Sequence, residues 1–440
     1  MPGCSAITWR VSNLSEDWMR HSSKRYPILL GFALAAGVAQ PALADDADAL
    51  MLADTAPETV TTSRDWQGYV ETAFGESIAR ADGAVTPNQR LSFDLQLDKS
   101  LAPGWRAVLA DRWDVAWPAQ GSEASGINTL KEVYLSWQVQ DERLLDLGRI
   151  NARYGVATGY NPTDFLRTGA LRSLVSVDPG SLKKNRMGSV MLRGQTLWSG
   201  GSFTALYSPK LQDQPSTDTF SADLGATNNQ HRWLLAASQQ WTDKLSPQWL
   251  LFGGAGQSAQ LGFNLTTLVG EAGVAFLEWS GGRSRSLWSQ AMNTADGEAF
   301  HNRLATGLSY TTANKLTLTL EFDYNGAALD DAAWSALARG PAQAYRQYRN
   351  WTQYAQDMPA QQATFVYAAW QDALVNHLDL NAMLRVNRAD QSRLTWLEAR
   401  YHFKRSDLAL QWQGNSGSPG SEYGADPQQR AWQAVLRCYF

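Results

Sequence analysis

The sequence predicts an all-β protein: a single transmembrane antiparallel β-barrel of about 18 strands, with 16 as the alternative count. Three observations predict it. Long segments alternate strictly between apolar and polar residues. The connections divide into short turns and long loops. The chain ends in an alternating strand whose last residue is Phe440.

Composition narrows the field first. The 440 residues include 19 Trp, 15 Tyr and 14 Phe with 18% charged residues, and the mean hydropathy is −0.35. A polytopic helical membrane protein needs repeated apolar runs of about 20 residues, and none is present. The longest uncharged run, Leu245–Gly270, carries Pro247, several glycines and many polar residues. It reads instead as two strands reversing at Gln257-Ser258-Ala259-Gln260. Abundant aromatics and few charges argue against disorder. A net charge of −4 gives no nucleic-acid partner.

The elements follow in chain order. Lys24 and Arg25 precede the apolar stretch Ile28–Val38, and Ala42-Leu43-Ala44 follows. A basic region, a short apolar core and an A-x-A site form a secretory signal peptide, so 1–44 is expected to be cleaved, leaving Asp45 first. Residues 45–64 then form a periplasmic N-terminal segment and 65–440 the barrel. Cys4 leaves with the leader and Cys438 stands alone, so no intrachain disulfide is available.

Within 65–440 the predicted strands lie near 66–76, 88–98, 104–117, 130–140, 143–150, 187–198, 201–208, 230–242, 247–257, 260–270, 272–280, 301–311, 315–324, 362–371, 376–387, 391–404, 406–414 and 429–440. The third places Trp105, Ala107, Leu109, Trp113, Val115 and Trp117 opposite Arg106, Arg112 and Asp114. The thirteenth alternates without a break from Leu316 to Tyr324, and Leu378–Val386 repeats the pattern with Asp379, Asn381 and Arg385 on the polar side. Such alternation gives a sheet one apolar and one polar face. Strands of 9–13 residues exceed the usual 5–6 of soluble sheets. Aromatics near the ends of the apolar face match membrane-barrel girdles. Segments 66–76 and 143–150 are the weakest, which is why 16 stands as the alternative.

Connections at one end are short, as at Ser199-Gly200 and Thr311–Lys315. Those at the other are mostly long: 118–129, 151–186, 209–229, 281–300, 325–361 and 415–428. Short periplasmic turns and long extracellular loops are the outer-membrane pattern, and an even count puts both termini in the periplasm. In the last strand Trp432, Ala434, Leu436, Cys438 and Phe440 alternate with Gln433, Val435, Arg437 and Tyr439. This resembles the terminal strand of bacterial outer-membrane proteins, where the final Phe is an assembly signal read by the outer-membrane assembly machinery.

The region from 65 onward resembles bacterial outer-membrane porins, and among them the larger substrate-specific channels and the alginate-export group. The stretch from Leu147-Gly148-Arg149 to Gly159-Tyr160-Asn161-Pro162-Thr163-Asp164-Phe165 carries this similarity. It implies a passive channel for polar solutes with no cofactor, residing in the outer membrane beside lipopolysaccharide.

The candidate constriction is 149–186. Arg149, Arg153, Arg167, Arg172, Lys183, Lys184 and Arg186 face only Asp164 and Asp178 there. Guanidinium groups in a narrow pore hold carboxylates and phosphates bidentately, so a small anionic solute or anionic sugar is the expected substrate. Tyr154 and Tyr160 stand beside these cations as stacking candidates. Along the lumen wall Arg106, Arg112, Arg193, Arg232, Arg303, Arg385, Arg400 and Arg437 should point inward. Glu132, Glu278, Glu321, Asp323, Asp379 and Glu398 face them, and many of these groups are expected to pair. In 325–361, Tyr345, Tyr348, Trp351 and Tyr354 share one side of a short helix, which would pack on the barrel or offer a sugar platform.

No H-E-x-x-H, G-x-S-x-G or P-loop spacing occurs, and the histidines (His231, His301, His377, His402) match no metal or catalytic pattern. The leading function is passive passage of small polar, anionic solutes. Export of an anionic exopolysaccharide is the alternative, and an outer-membrane barrel enzyme ranks third.

Overall fold

The computed structural model describes residues 65–117, 125–295 and 297–440. The expected leader (1–44) and the segment 45–64 lie outside the described residues. Eighteen antiparallel strands form one sheet in which each pairs with its sequence neighbours and β1 pairs with β18, closing a barrel. They are β1 (Trp66–Ala79), β2 (Val85–Ala102), β3 (Trp105–Trp117), β4 (Ser125–Gln140), β5 (Arg143–Ile150), β6 (Ser189–Trp198), β7 (Gly201–Ser208), β8 (Arg232–Gln239) and β9 (Gln248–Gly254), then β10 (Gln257–Val269), β11 (Gly273–Ser284), β12 (Ala299–Thr311), β13 (Leu316–Asn325), β14 (Gln362–Trp370), β15 (Leu378–Asn387), β16 (Arg393–His402), β17 (Ser406–Ser416) and β18 (Gln428–Tyr439). Both weak segments are strands, β1 and β5, so the count is 18 and not 16. No described helix is long and apolar enough to cross a membrane.

One expected turn is displaced. The chain reverses at Ala255-Gly256, not at Gln257–Gln260, because Gln257 already pairs with Gly254. Gly256 has φ 71°, a left-handed conformation that only glycine adopts without a steric penalty, so it fixes the hairpin there.

Alternation places the two faces as the sequence demands. Outward residues are apolar and exposed, with Trp66, Trp105, Trp137, Trp198, Trp249 and Phe403 at the short-turn end and Trp113, Phe300, Phe322, Trp412 and Trp432 at the other. Trp105 and Trp137 stack at 5.3 Å between ring centroids. Eight residues separate Trp105 from Trp113; at ~3.3 Å per residue on strands tilted ~40° this is about 20 Å, close to the height of a membrane barrel's apolar band.

The inward face is polar and buried, and many of its charges pair with one another. Glu71 accepts from Arg90 Nη2 at 2.6 Å, Arg437 Nη2 at 2.6 Å and Arg112 Nη2 at 3.1 Å. Asp94 holds Lys131 Nζ at 2.7 Å, and Asp114 holds Arg112 Nε at 2.9 Å. This network ties β1, β2, β3, β4 and β18, so it reinforces the seam where the barrel closes.

The long connections carry five short helices: α1 (Pro179–Lys184), α2 (Leu224–Thr227), α3 (Leu287–Met292), α4 (Asp331–Ala338) and α5 (Ala342–Ala355). Asp330 starts α4 by accepting the Ala333 N–H at 2.8 Å, an N-cap that satisfies an orphan donor. Helix α5 realises the spacing of Tyr345, Tyr348, Trp351 and Tyr354. Tyr348 is fully buried with Trp334, Leu337, Leu287 and Ala360, and Tyr348 Oη donates to Pro359 O at 2.7 Å. The helix therefore packs through Tyr348, while Tyr345, Trp351 and Tyr354 stay half-buried.

Phe440 lies on the outward side, 56% exposed, with its N–H donating to Gly68 O at 3.0 Å. Its deletion removes an exposed outward ring and a seam hydrogen bond together. The yield of folded, heat-modifiable barrel should drop several-fold, whereas deletion of the exposed loop residue Gln212 should leave it unchanged. Equal yields would remove the terminal residue from assembly.

Candidate functional site

The connection between β5 and β6, residues 151–188, does not project outward. It crosses to β11 and β13, and β13 lies eight places from β5 around the ring of eighteen. Two wall carboxylates hold it there. Glu278 on β11 accepts from Val156 N at 2.9 Å, Ala157 N at 3.1 Å, Thr163 N at 2.7 Å, Thr163 Oγ1 at 2.9 Å and Asn161 Nδ2 at 3.2 Å. Glu321 on β13 accepts from Thr158 N at 2.9 Å, Gly159 N at 3.0 Å and Tyr160 N at 2.9 Å. Runs of consecutive N–H groups converging on an anion form the backbone nests that bind anions elsewhere; here the anion belongs to the barrel wall.

The sequence permits this approach through Gly155 and Gly159. Gly155 has φ 113°, and a Cβ on it would stand 2.6 Å from Glu278 Oε1; a Cβ on Gly159 would stand 2.5 Å from Phe365. Beyond them, Phe165 stacks on Phe252 of β9 at 4.7 Å, and Thr163 Oγ1 lies 2.9 Å from Asn264 Oδ1 of β10.

The rest of the crossing is fastened by its own charged side chains. Arg186 pairs with Asp164 and donates to Ala152 O at 3.0 Å and Asn151 Oδ1 at 2.7 Å, tying the two limbs together. Arg167 pairs with Asp357 at 3.2 Å, lies 5.0 Å from the Tyr160 ring centroid and donates to Asn161 O; Tyr160 Oη donates to Asp357 at 2.9 Å. Arg172 reaches Asp223 at 2.9 Å, Asn128 O at 3.0 Å and Ser216 O at 2.7 Å. Lys183 donates to Ala157 O at 2.9 Å. Asp178 caps α1 through the Ser181 N–H at 2.8 Å and accepts from Tyr367 Oη of β14 at 2.9 Å. Burial pushes the Asp178 carboxyl above its ordinary value, against these two hydrogen bonds.

This geometry engages most cations of the expected constriction with partners of the protein's own. Arg167, Arg172 and Arg186 are engaged with carboxylates, two of them supplied by Asp357 and Asp223 from distant loops. Arg149 is buried and donates to Leu130 O and Ala222 O. Arg153 is half-buried, and Lys184 alone among the seven is exposed. Lys184 forms no ion pair among the described residues. Tyr154 and Tyr160 are packed inside the segment. Tyr154 is buried with Ile150, Leu166 and Met191, and Tyr160 with Phe276 and Met358, so neither ring is open to a sugar. Burial pushes the Tyr154 phenol up to about 12 and raises Tyr160 too, Asp357 adding to the effect.

On the wall, Arg106 pairs with Asp98, Arg193 with Asp146 at 2.8 Å, and Arg400 with Glu398 at 2.7 Å. Arg112 belongs to the Glu71 network. His402 lies between Asp407 at 2.9 Å and Asp379 at 3.1 Å. Arg303 on β12 and Arg385 on β15 form no ion pair among the described residues. Asp323, buried beside Glu321, has neither carboxylate oxygen hydrogen-bonded. No group of three or more His, Cys, Asp or Glu able to hold a metal occurs among the described residues.

No protein-family model and no curated protein sequence matches the chain. Solved structures match the fold. Acinetobacter baumannii OccAB1 is 10% identical with a TM-score of 0.55, over 85% of this chain and 96% of that one. Pseudomonas aeruginosa OccK2 (OpdF), solved in complex with glucuronate, is 10% identical with a TM-score of 0.53, over 86% and 97%. Pseudomonas aeruginosa OpdK with vanillate is 11% identical with a TM-score of 0.51, over 86% and 98%. In its closed eighteen-strand antiparallel barrel, this chain has the fold of the Occ and Opd substrate-specific outer-membrane porins.

Proposed function

We propose that the protein is an outer-membrane channel for passive passage of small anionic polar solutes. The observation that carries this reading is the imbalance of charge at the crossing. Three of the acids there, Asp164, Asp223 and Asp357, are paired with arginines, while Glu278 and Glu321, without an ion pair among the described residues, hold the segment through neutral N–H and O–H donors. Arg303 and Arg385 on the wall have no carboxylate partner, and Lys184 is exposed on the segment. Asp323, Glu321 and Glu422 act on Arg385 through space without forming an ion pair with it, and Asp323 and Glu321 are buried. Arg149 and Lys183 add charge while bonding only neutral carbonyls. A solute carboxylate meets this excess in a confined lumen, where charge is screened less than on the surface. The two ligands in the similar structures, glucuronate and vanillate, are both carboxylates, and the present chain is read as accepting that class.

Planar bilayers under a KCl gradient test the proposal. The wild type should pass chloride over potassium and be blocked by added glucuronate. A guanidinium ~8 Å from a passing carboxylate contributes about 2 kcal/mol at an effective dielectric of ~20. Arg303→Gln/Arg385→Gln should therefore move the reversal potential toward that of potassium and weaken block several-fold. A cation-selective wild type, or a double variant with unchanged selectivity, would overturn the proposal.

A further inference from the structure

The outward aromatic girdle at the long-loop end has a gap. It is marked by Phe322 on β13 and by Trp412 on β17, both outward and exposed. Register carries Phe322 across Thr364, Val386 and Arg393 to Ser416. Trp412 lies four residues below Ser416 on β17, so the girdle descends one residue per strand, as strand tilt requires. On β14, β15 and β16 it must pass through Val366, Leu384 and the Thr395–Leu397 stretch. No outward residue among these is aromatic, because Trp396 takes the inward parity and is buried with Phe365 and Met383. Small side chains below, Ala368 and Ala382, deepen the gap into an apolar groove of ≈ 340 Å³ bounded at its upper end by Arg393.

Two arginines stand above this groove. Arg393 shares the outward parity of Thr395 and Leu397, is exposed, and donates from Nε to Ser416 Oγ at 3.0 Å. Arg388, just past β15, is exposed and donates to the outward Thr364 hydroxyl at 3.3 Å. Neither forms an ion pair among the described residues. No carboxylate points outward on β13 to β17; the acids of those strands, from Glu321 to Asp407, all take the inward parity. Asp390, the acid between the two arginines in sequence, is turned to Trp334 Nε1 at 2.8 Å and to the N–H of Glu422 at 2.7 Å.

Two cations on a membrane-facing wall, above an apolar groove and without an anion from the protein, call for an anion from the bilayer. We propose that this groove is a binding site for a phosphorylated glycolipid of the outer leaflet, with an acyl chain between β14 and β16 and a phosphate on Arg388 and Arg393. Charge decides against a second copy of the chain, because a two-fold interface would bring the same cations face to face. Guanidinium–phosphate pairing is bidentate and charge-assisted, and the arginines lie above the girdle, where headgroups begin.

Native mass spectrometry of the purified barrel in detergent tests this, with bis-phosphorylated lipid A, its dephosphorylated form and inorganic phosphate as probes. The wild type should retain one phosphorylated lipid A per barrel, and free phosphate at equal concentration should not displace it. Arg388→Gln/Arg393→Gln should reduce that retention about tenfold, a loss in keeping with two charge-assisted contacts, without changing the weaker retention of the dephosphorylated form. Ala382→Trp fills the groove with both arginines in place and should lower retention of both forms. Heat-modifiable mobility establishes that each variant is folded. Equal retention by the wild type and the double arginine variant, displacement by free phosphate alone, or a dimer that Ala382→Trp abolishes would each overturn the assignment.

Discussion

Replacing Glu278 and Glu321 together with alanine should raise the single-channel conductance several-fold while the barrel stays closed. These two carboxylates accept every backbone N–H of 156–160, and Glu278 also accepts that of Thr163. A hydrogen bond to a charged group contributes about 1.5–3 kcal/mol net, and a buried donor left without an acceptor costs about 1–3 kcal/mol. The double variant leaves six such donors unsatisfied at the wall. No packing contact offsets a loss of that size, so 156–163 should leave β11 and β13 and unblock part of the lumen. The strands keep their ladders, because neither carboxylate bonds a neighbouring strand's backbone. Bilayer conductance, read beside heat-modifiable mobility, checks both halves. Unchanged conductance in a folded double variant would mean that this segment does not limit the path.

Arg186→Leu should destabilise the protein by about 3–5 kcal/mol, the usual consequence of leaving one member of a buried ion pair alone. Asp164 is 4% exposed and Arg186 3%, so water cannot replace the lost partner. Arg186 also binds Asn151 and Ala152, and its loss frees the base of the crossing segment from both limbs. Asp164→Leu/Arg186→Leu removes the stranded carboxylate and should recover most of the loss, since apolar replacement of a whole buried pair is often close to neutral. Thermal shift of the folded electrophoretic band should rank wild type first, then the double variant, then Arg186→Leu. A single variant as stable as the wild type would mean that Asp164 finds another donor.

The barrel was legible because its rule is local. Whether Trp105 or Arg106 faces lipid depends only on parity along one strand, and hydrogen bonding between sequence neighbours extends that parity around the ring. The constriction was less legible because its pairing is not local. Seven cations against two acids in 149–186 described the segment's composition, yet Arg167 meets an aspartate 190 residues on and Arg172 meets one in the loop after β7. Periodicity cannot state such partners. A usable signal did exist in the inward acids Glu278, Glu321 and Asp323, which gather on β11 and β13. An acidic wall opposite a basic segment, with Gly155 and Gly159 set into that segment, is the mark of a loop drawn inward. The turn at Ala255-Gly256 shows the same division at small scale: alternation gave the two strands, while the exact hinge was set by the glycine that takes a positive φ, Gly256 at 71°.

The pairing of β1 with β18 has a consequence for incomplete chains. Tyr69 meets Tyr439, Val70 meets Cys438 and Glu71 meets Arg437, so the first strand's free edge finds its partner only in the last strand to be made. Glu71 receives Arg90 and Arg112 from its near neighbours, and Arg437 arrives only with β18. A chain cut short at any earlier strand keeps two open edges and an incompletely satisfied carboxylate. Unpaired edges invite association with other chains and cannot rest in hydrocarbon. The ring thus closes only when β18 is present, and a truncated product lacks both the seam ladder and the third arginine of Glu71.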